Sequence, residues 1–138
     1  MPPPKTPLLT VDAIILYHND SLILIRRKNP PYQGKLALPG GFVDIGETVE
    51  RACVREAKEE TNIDVEIKKL VGVFSDPDRD PRGHTVSIAY LCEPKTINET
   101  PRAQDDAADL EIVALSDLSS LKLAFDHELI LKKARILK

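Results

Sequence analysis

The stretch that decides the fold lies at residues 40–63, which read GGFVDIGETVERACVREAKEETNI. It begins with two glycines after Pro39 and contains three glutamates among the six residues 55–60. Glycines let a backbone approach a ligand closely, because they carry no side chain. Thr48 is a good helix cap, so a helix is expected from there to about Thr61. The stretch therefore predicts a glycine loop followed by a carboxylate-rich helix.

Helical periodicity places two of these glutamates on the apolar face of the predicted helix. At about 100° per residue, Glu56 and Glu60 lie within about 20° of Val49, whereas Lys58 lies on the opposite side. Buried carboxylates are costly unless they are paired or bind a metal. Two explanations are therefore open: an ion-pair network with Arg55 and nearby lysines, or a site for a hard cation such as Mg²⁺.

The same stretch resembles the signature of the Nudix hydrolase family. That signature is a Gly, five residues, a Glu, seven residues, Arg-Glu, an apolar residue, any residue, Glu-Glu, any residue, Gly and an apolar residue. The matching positions are Gly41, Glu47, Arg55, Glu56, Ala57, Glu59, Glu60 and Ile63. The one departure is Asn62 at the closing glycine. Asparagine is the residue that next best tolerates the left-handed backbone expected where the helix ends.

The resemblance implies hydrolysis of a nucleoside diphosphate linked to another group, with Mg²⁺ as cofactor and Mn²⁺ as a possible substitute. By register, the metal ligands would be the carbonyl of Gly40 and the carboxylates of Glu56, Glu59 and Glu60. Metal ions in such sites neutralise the diphosphate and lower the pKa of an attacking water. Arg55 would orient the glutamates, and Glu47 would brace the loop by pairing with Arg55.

The general base stays open among three residues. A metal-bound water benefits from a nearby proton acceptor. In some Nudix enzymes, a residue of the loop beyond the third major strand is the general base; the corresponding loop here is residues 93–109. Asp106 is slightly preferred over Asp105 in that loop, although a merely solvated acidic loop explains both equally well. Glu59 itself is the alternative base.

A proline indicates the substrate class by resemblance. Pro77 lies 15 residues beyond Asn62. In this respect the chain resembles the ADP-ribose pyrophosphatase branch of the family, which has a proline at about this distance. Enzymes of that branch release AMP and ribose 5-phosphate. In the same loop, Arg79 and Arg82 would contact phosphate or a terminal ribose, because a guanidinium offers forked donors. The alternative is a rigid loop whose arginines pair with its own aspartates.

Four further residues are predicted substrate contacts. Gly41 would admit the substrate to the backbone, and Arg27 rather than Arg26 would face the diphosphate, since alternation lets only one of them do so. Asp126 and His127 lie where related enzymes recognise the base, yet Asp126 is equally well explained as a helix cap. Aromatic residues are few, and the candidates for stacking on adenine are Tyr32, Phe42 and Phe74.

Composition indicates one globular domain. The chain has 138 residues, 42% hydrophobic and 30% charged, so we expect a single domain at 1–138 with a flexible Pro-rich leader at 1–7. The net charge of −3 and the absence of a basic run favour neither nucleic acid nor a membrane surface as partner. The N-terminus has no apolar signal segment, and the two cysteines are expected to be buried and reduced. A cytoplasmic location follows as an expectation.

The order of elements predicts the fold class. Strands are expected at 8–17, 21–27, 36–38, 65–74, 85–91 and 110–115, and a second helix at 126–136. This order predicts an α+β layered domain. The resemblance implies more specifically the Nudix α/β/α sandwich with a mixed β-sheet.

Rival functions are a MutT-like nucleoside triphosphate pyrophosphohydrolase and a non-catalytic sensor of ADP-ribose. The Pro77 loop disfavours the first. Sensors usually carry a degenerate signature and an added DNA-binding domain, for which 138 residues leave no room. A purely structural domain would not need three glutamates on the helix. The residues fix neither the number of metals nor the oligomeric state, and a homodimer stays open.

Overall fold

The computed structural model describes residues 2–96, 99–102 and 107–137. The strands are β1 (Leu8–Tyr17), β2 (Ser21–Arg27), β3 (Leu36–Ala37), β4 (Gly40–Phe42), β5 (Val65–Phe74), β6 (Thr85–Pro94) and β7 (Ala107–Ala114). The helices are α1 (Val49–Thr61), a 3₁₀ helix at Leu115–Ser120, and α2 (His127–Lys133). Residues 2–7 form neither helix nor strand.

Strand β1 organises a mixed sheet, as predicted. It runs parallel to β6 and antiparallel to β4, and its last residues form a hairpin with β2. The hairpin turn has three residues, 18–20, of which His18 and Asn19 have positive φ, and this left-handed backbone matches the right-handed twist of tight hairpins. Strand β2 continues the sheet by pairing with β3 and β7, and β6 pairs with β5.

The two helices cover opposite faces of this sheet. Alternation along β1 sends Ala13 and Ile15 into one core with α1, and sends Ile14 into a second core with α2. Both cores are fully buried at these positions. This arrangement confirms the α/β/α sandwich.

The ends of α1 follow the local chemistry of the sequence. The Thr48 side-chain oxygen accepts a hydrogen bond from the Arg51 amide at 3.1 Å. Asn62 ends the helix at φ 65° and ψ 15°, with its amide donating to the Lys58 carbonyl at 3.0 Å. Asparagine thus adopts the left-handed conformation that glycine favours at this position, so the departure from the signature preserves the end of the helix.

Several boundaries differ from the sequence-based prediction. Strand β6 extends to Pro94, and β7 begins at Ala107 and gives way to the 3₁₀ helix at Leu115. Strand β4 was not predicted, because its three residues are too few to show a period. Within the described part of the chain, no helix has the length and apolar character needed to cross a membrane. Cys53 and Cys92 are buried and reduced, with their sulfurs 3.7 Å apart.

Candidate active site

One cavity of about 430 Å³ lies where β4 and α1 meet the loops after β5 and before α2. Its size suits a small organic ligand. The predicted site residues that line it are Arg27, Gly40, Gly41, Glu56, Glu60, Arg79, Arg82 and His127. Glu59 is 44% exposed and lies outside its lining, beside Arg55. Asp105 and Asp106 lie outside the described residues.

The glycines of β4 bring the backbone against two glutamates of α1. A Cβ on Gly41 would lie 2.6 Å from the carboxylate of Glu56, so only glycine fits here without displacing that carboxylate. The Gly40 amide donates to Glu60 Oε1 at 3.1 Å, and Gly40 also packs directly against the backbone of Val11. The strand therefore holds Glu56 and Glu60 at the wall of the cavity.

Burial makes Glu60 an unusual carboxyl group. Glu60 is 5% exposed, and desolvation raises its pKa to about 9, with a smaller upward effect from Glu56 and an opposing hydrogen bond from the Gly40 amide. Burial also raises the pKa of Glu56, although the Arg55 guanidinium opposes it. The neighbouring carboxylate of Glu56 adds to the effect of burial on Glu60, so burial and the closeness of the two carboxyl groups both favour a proton on Glu60.

Arg55 organises the remaining carboxylates. Its Nε and Nη2 donate to Glu47 at 2.7 and 2.9 Å, and its Nη1 donates to Glu56 at 2.9 Å and Glu59 at 3.1 Å. Its Nη2 also donates to the Phe42 carbonyl at 3.0 Å. Hydrogen bonding from Arg55 lowers the pKa of Glu47 to about 2. The ion-pair explanation thus holds for Glu56 and Glu59, whereas the partners of Arg55 do not include Glu60.

Replacing Arg55 by lysine is expected to lower activity about 10- to 100-fold, the usual cost of losing a group that orients metal ligands. Lysine keeps the charge but lacks the planar fork that bridges Glu47, Glu56 and Glu59. The variant should fold, and its apparent affinity for a divalent cation should fall in kinetic titrations with that cation. Arg51→Lys, on the exposed side of the same helix, is the matched control. Equal activity in the two variants would mean that Arg55 does not position the glutamates.

The donor set at this wall fits a hard divalent cation. Glu56 and Glu60 present carboxylate oxygens beside the backbone of Gly40, and oxygen ligands are those that Mg²⁺ prefers. A bound cation would replace the proton on Glu60 and would offset the cost of placing two carboxyl groups close together away from water. Within the described ranges, no three Asp, Glu, His or Cys side chains form a preformed cluster. The third carboxylate of the signature helix, that of Glu59, is paired with Arg55 Nη1 at 3.1 Å.

Two predicted substrate contacts, Arg79 and Asp126, bind each other. Arg79 Nε and Nη2 donate to the two carboxylate oxygens of Asp126 at 2.9 and 2.6 Å, and Nη1 donates to Thr85 at 3.0 Å. The Arg79 side chain is 5% exposed. Asp126 stands at the N-cap position of α2, yet its side chain makes no capping hydrogen bond. The pair connects the loop after β5 to the start of α2.

His127 belongs to the same buried network. Its Nδ1 accepts from the Leu38 amide at 2.9 Å, so its proton lies on Nε2, 3.3 Å from Asp12 Oδ1. Ser87 donates to the other oxygen of Asp12. Burial would raise the pKa of Asp12, but His127, Ser87 and Arg79 together bring it below its ordinary value. Both ring nitrogens of His127 are therefore engaged within the protein.

Arg82 and Arg27 reach the cavity in a different way. Arg82 Nε and Nη2 donate to buried Asp80 at 3.1 and 2.8 Å, and its side chain is 47% exposed. The Arg27 guanidinium carbon lies 4.9 Å from the centre of the Phe125 ring. Sequence reasoning missed Phe125, although an aromatic residue directly before Asp126 and His127 was an available signal. Of the aromatic candidates, Phe42 lines the cavity, while Phe74 packs in the core beneath α2.

Comparison with known proteins agrees with this geometry. The profile of the NUDIX domain matches residues 6–134. The chain belongs to the NUDIX family. The sequence resemblance of residues 40–63 is thus confirmed.

Three relatives show what this NUDIX chain is similar to. It is 52% identical over 126 residues to an ADP-ribose pyrophosphatase from Methanocaldococcus jannaschii. That alignment covers 91% of this chain and 72% of the other protein. The NUDIX domain of Shewanella oneidensis NrtR, solved with ADP ribose, has a TM-score of 0.82 and 29% identity, with 95% of this chain and 88% of that one covered. A bifunctional NMN adenylyltransferase/ADP ribose pyrophosphatase from Francisella tularensis, solved with AMP and a Mn ion, has a TM-score of 0.83 and 34% identity, with 95% and 42% covered.

Proposed function

We propose that this chain hydrolyses the diphosphate of ADP-ribose to AMP and ribose 5-phosphate with Mg²⁺ as cofactor. The observation that carries the proposal is the pair formed by buried Glu60 and partly buried Glu56 against the glycines of β4, on the wall of a ligand-sized cavity. The 52% identity to an ADP-ribose pyrophosphatase supports this choice of substrate.

In this proposal, the cation would be held by the carboxylates of Glu56, Glu59 and Glu60 and by the carbonyl of Gly40. When bound, it supplies charge neutralisation and an activated water. Arg55 orients the carboxylates of Glu56 and Glu59 by hydrogen bonding to them. Glu47 in turn holds Arg55 in place by accepting two short hydrogen bonds from it. Glu59 is half exposed beside Arg55, and it shares candidacy as the general base with Asp105 and Asp106.

Substrate contacts are divided between exposed and buried groups. We assign Gly41, Arg27 and Arg82 to the substrate, because they line the cavity and the Arg82 side chain is half exposed. We assign Arg79, Asp126 and His127 to holding the cavity wall, because the side chains of Arg79 and His127 are only 5% exposed and Asp126 is bound by Arg79. A single domain, a cytoplasmic location and a homodimer stay predictions.

The test is a product assay with Mg²⁺ on a panel of ADP-ribose, NADH, diadenosine polyphosphates and deoxynucleoside triphosphates. We expect AMP and ribose 5-phosphate from ADP-ribose to appear fastest, and addition of EDTA to stop the reaction. Faster release of pyrophosphate from triphosphates would replace this proposal with the MutT-like function. Binding of ADP-ribose without turnover would indicate a sensor, as its likeness to the NrtR domain solved with ADP ribose allows.

A further inference from the structure

A buried carboxylate, that of Asp12, lies at the wall of the cavity, outside both the signature helix and the loop with Pro77. It is 7% exposed and stands in the middle of β1, between strands β4 and β6. A buried charge is costly unless partners compensate it, and apolar residues in place of a buried ion pair are often at least as stable. Stability alone therefore does not account for a carboxylate at this position.

Groups from four other parts of the chain face the Asp12 carboxylate. Ser87 of β6 donates to Oδ2, and His127 Nε2 lies 3.3 Å from Oδ1. Arg79 Nη2 lies 3.8 Å from Oδ2, and a Cβ on Gly40 of β4 would lie 2.8 Å from Oδ1. Because His127 Nδ1 accepts a backbone hydrogen bond, that ring is neutral, and the Arg79 guanidinium supplies the positive charge opposite Asp12.

Arg79 connects Asp12 to an arginine that reaches the cavity. The Arg79 side chain is 5% exposed, so its charge is balanced by protein groups rather than by water. In the same loop, buried Asp80 accepts two hydrogen bonds from Arg82 at 3.1 and 2.8 Å. Arg82 is half exposed and lines the cavity. The position of Arg82 is therefore tied to the sheet through Arg79 and Asp12.

An asparagine at position 12 would separate the charge from the hydrogen bonds. Its oxygen can still accept from His127 Nε2, and its amide nitrogen can donate to Ser87 Oγ, since a hydroxyl both donates and accepts. The negative charge is lost, however, and an amide N–H then occupies the position of Oδ2, 3.8 Å from the Arg79 guanidinium. A donor would thus face a donor.

We propose that Asp12 is a positioning residue for the substrate: its negative charge holds Arg79, and through Arg79 the loop that carries Arg82, against the strand next to the cation wall. This role rests on the proposed function, since the affinity that it controls is that for ADP-ribose. The main-chain ladder between β1 and β4 holds Gly40 without the carboxylate. Removing the charge should therefore weaken binding of the substrate and leave binding of the cation in place.

The experiment compares Asp12→Asn with Ser87→Ala, which removes one hydrogen bond of the carboxylate and keeps its charge. We expect Asp12→Asn to raise KM for ADP-ribose about 10- to 100-fold, because a displacement of about 1 Å caused by a distant change can cost about 100-fold. The kcat should stay within about 3-fold, as expected when uniform binding of the substrate is lost. Ser87→Ala should be less stable than the wild type at an unchanged KM. Affinity for Mn²⁺, measured by electron paramagnetic resonance, should be equal in the three proteins.

An unchanged KM in Asp12→Asn, or an equal rise in Ser87→Ala, would show that the carboxylate is merely structural. Loss of Mn²⁺ affinity in parallel with the rise in KM would also overturn the role, because the cation wall would then depend on the charge. If Asp12→Asn does not fold, Asp80→Asn decides, since releasing Arg82 directly must raise the KM in the same way.

Calorimetric titration of the metal-free proteins with ADP-ribose separates this role from the proposed function. Binding that weakens in Asp12→Asn, in a protein whose wild type does not cleave ADP-ribose, would overturn the proposed function and keep the role of Asp12. Turnover by the wild type with equal affinity in Asp12→Asn would do the reverse. A wild type that neither binds nor cleaves ADP-ribose would overturn both.

Discussion

Glu60→Gln is expected to lower hydrolysis of ADP-ribose by about 1,000-fold, within the range seen when one preorganised charged group is removed from a site. The amide cannot bind a divalent cation as a carboxylate does, yet it keeps an oxygen that accepts from the Gly40 amide, as Glu60 Oε1 does at 3.1 Å. Glutamine also has the shape of the protonated acid. Activity should therefore be lost without loss of the fold, as measured by turnover and by thermal unfolding.

The same substitution makes a prediction about pH with a definite sign. Burial raises the pKa of Glu60 to about 9 from an ordinary value of 4.5, so the folded protein binds this proton more tightly than the unfolded chain does. In metal-free buffer, the wild type thus loses stability as the pH rises from 4.5 towards 9. The side chain at position 60 of the Glu60→Gln variant has no proton to lose between pH 4.5 and 9. The free energy of unfolding of the variant should therefore rise relative to that of the wild type as the pH increases over this range. Glu66→Gln, on the exposed surface of β5, is the control. If the difference in the free energy of unfolding between Glu60→Gln and the wild type were the same at every pH, the raised pKa of Glu60 would be contradicted.

Arg79→Ala is expected to destabilise the protein by about 3–5 kcal/mol, the usual result of removing one partner of a buried ion pair. The change leaves Asp126 and Asp12 without the guanidinium that binds the first at 2.6 Å and lies 3.8 Å from the second. Urea unfolding with an unchanged m-value would report this loss.

Arg26→Ala provides the matched control for that experiment. Arg26 pairs with Glu111 at 2.7 Å, but both side chains are 39% exposed, and exposed pairs contribute at most about 1 kcal/mol. A stable Arg79→Ala protein with a raised KM for ADP-ribose would show that Arg79 contacts the substrate after all. That result would support the role predicted from the sequence, in which Arg79 contacts a phosphate or the terminal ribose of the substrate.

The sequence predicted well those features that depend on neighbours along the chain. The α1 helix, its Thr48 cap and its end at Asn62 follow from local chemistry and a period of 3.6 residues. The inward face of Glu56 and Glu60 follows from the same period. Strand alternation likewise selected Arg27 as the arginine that reaches the cavity, whereas Arg26 pairs with Glu111.

Features that depend on distant contacts were beyond this reasoning. Arg79 and Asp126 are 47 positions apart in the chain, and no local pattern shows that they bind each other. His127 was predicted as a substrate contact, but its position is set by the Leu38 amide and Asp12, which come from other elements. The isolated bridge between Leu36 and Leu123 also joins distant parts of the chain, which sequence periodicity does not reveal.

The central claim is that Glu56 and Glu60 hold a divalent cation, and binding of Mn²⁺ measured by electron paramagnetic resonance tests it most directly. Wild-type protein and Glu60→Gln would be titrated with Mn²⁺ near pH 8, with Glu66→Gln as control. We predict saturable binding by the wild type and the control, and affinity at least about 10-fold weaker in Glu60→Gln. Equal affinity in all three proteins would contradict the account, because the cation would then bind elsewhere.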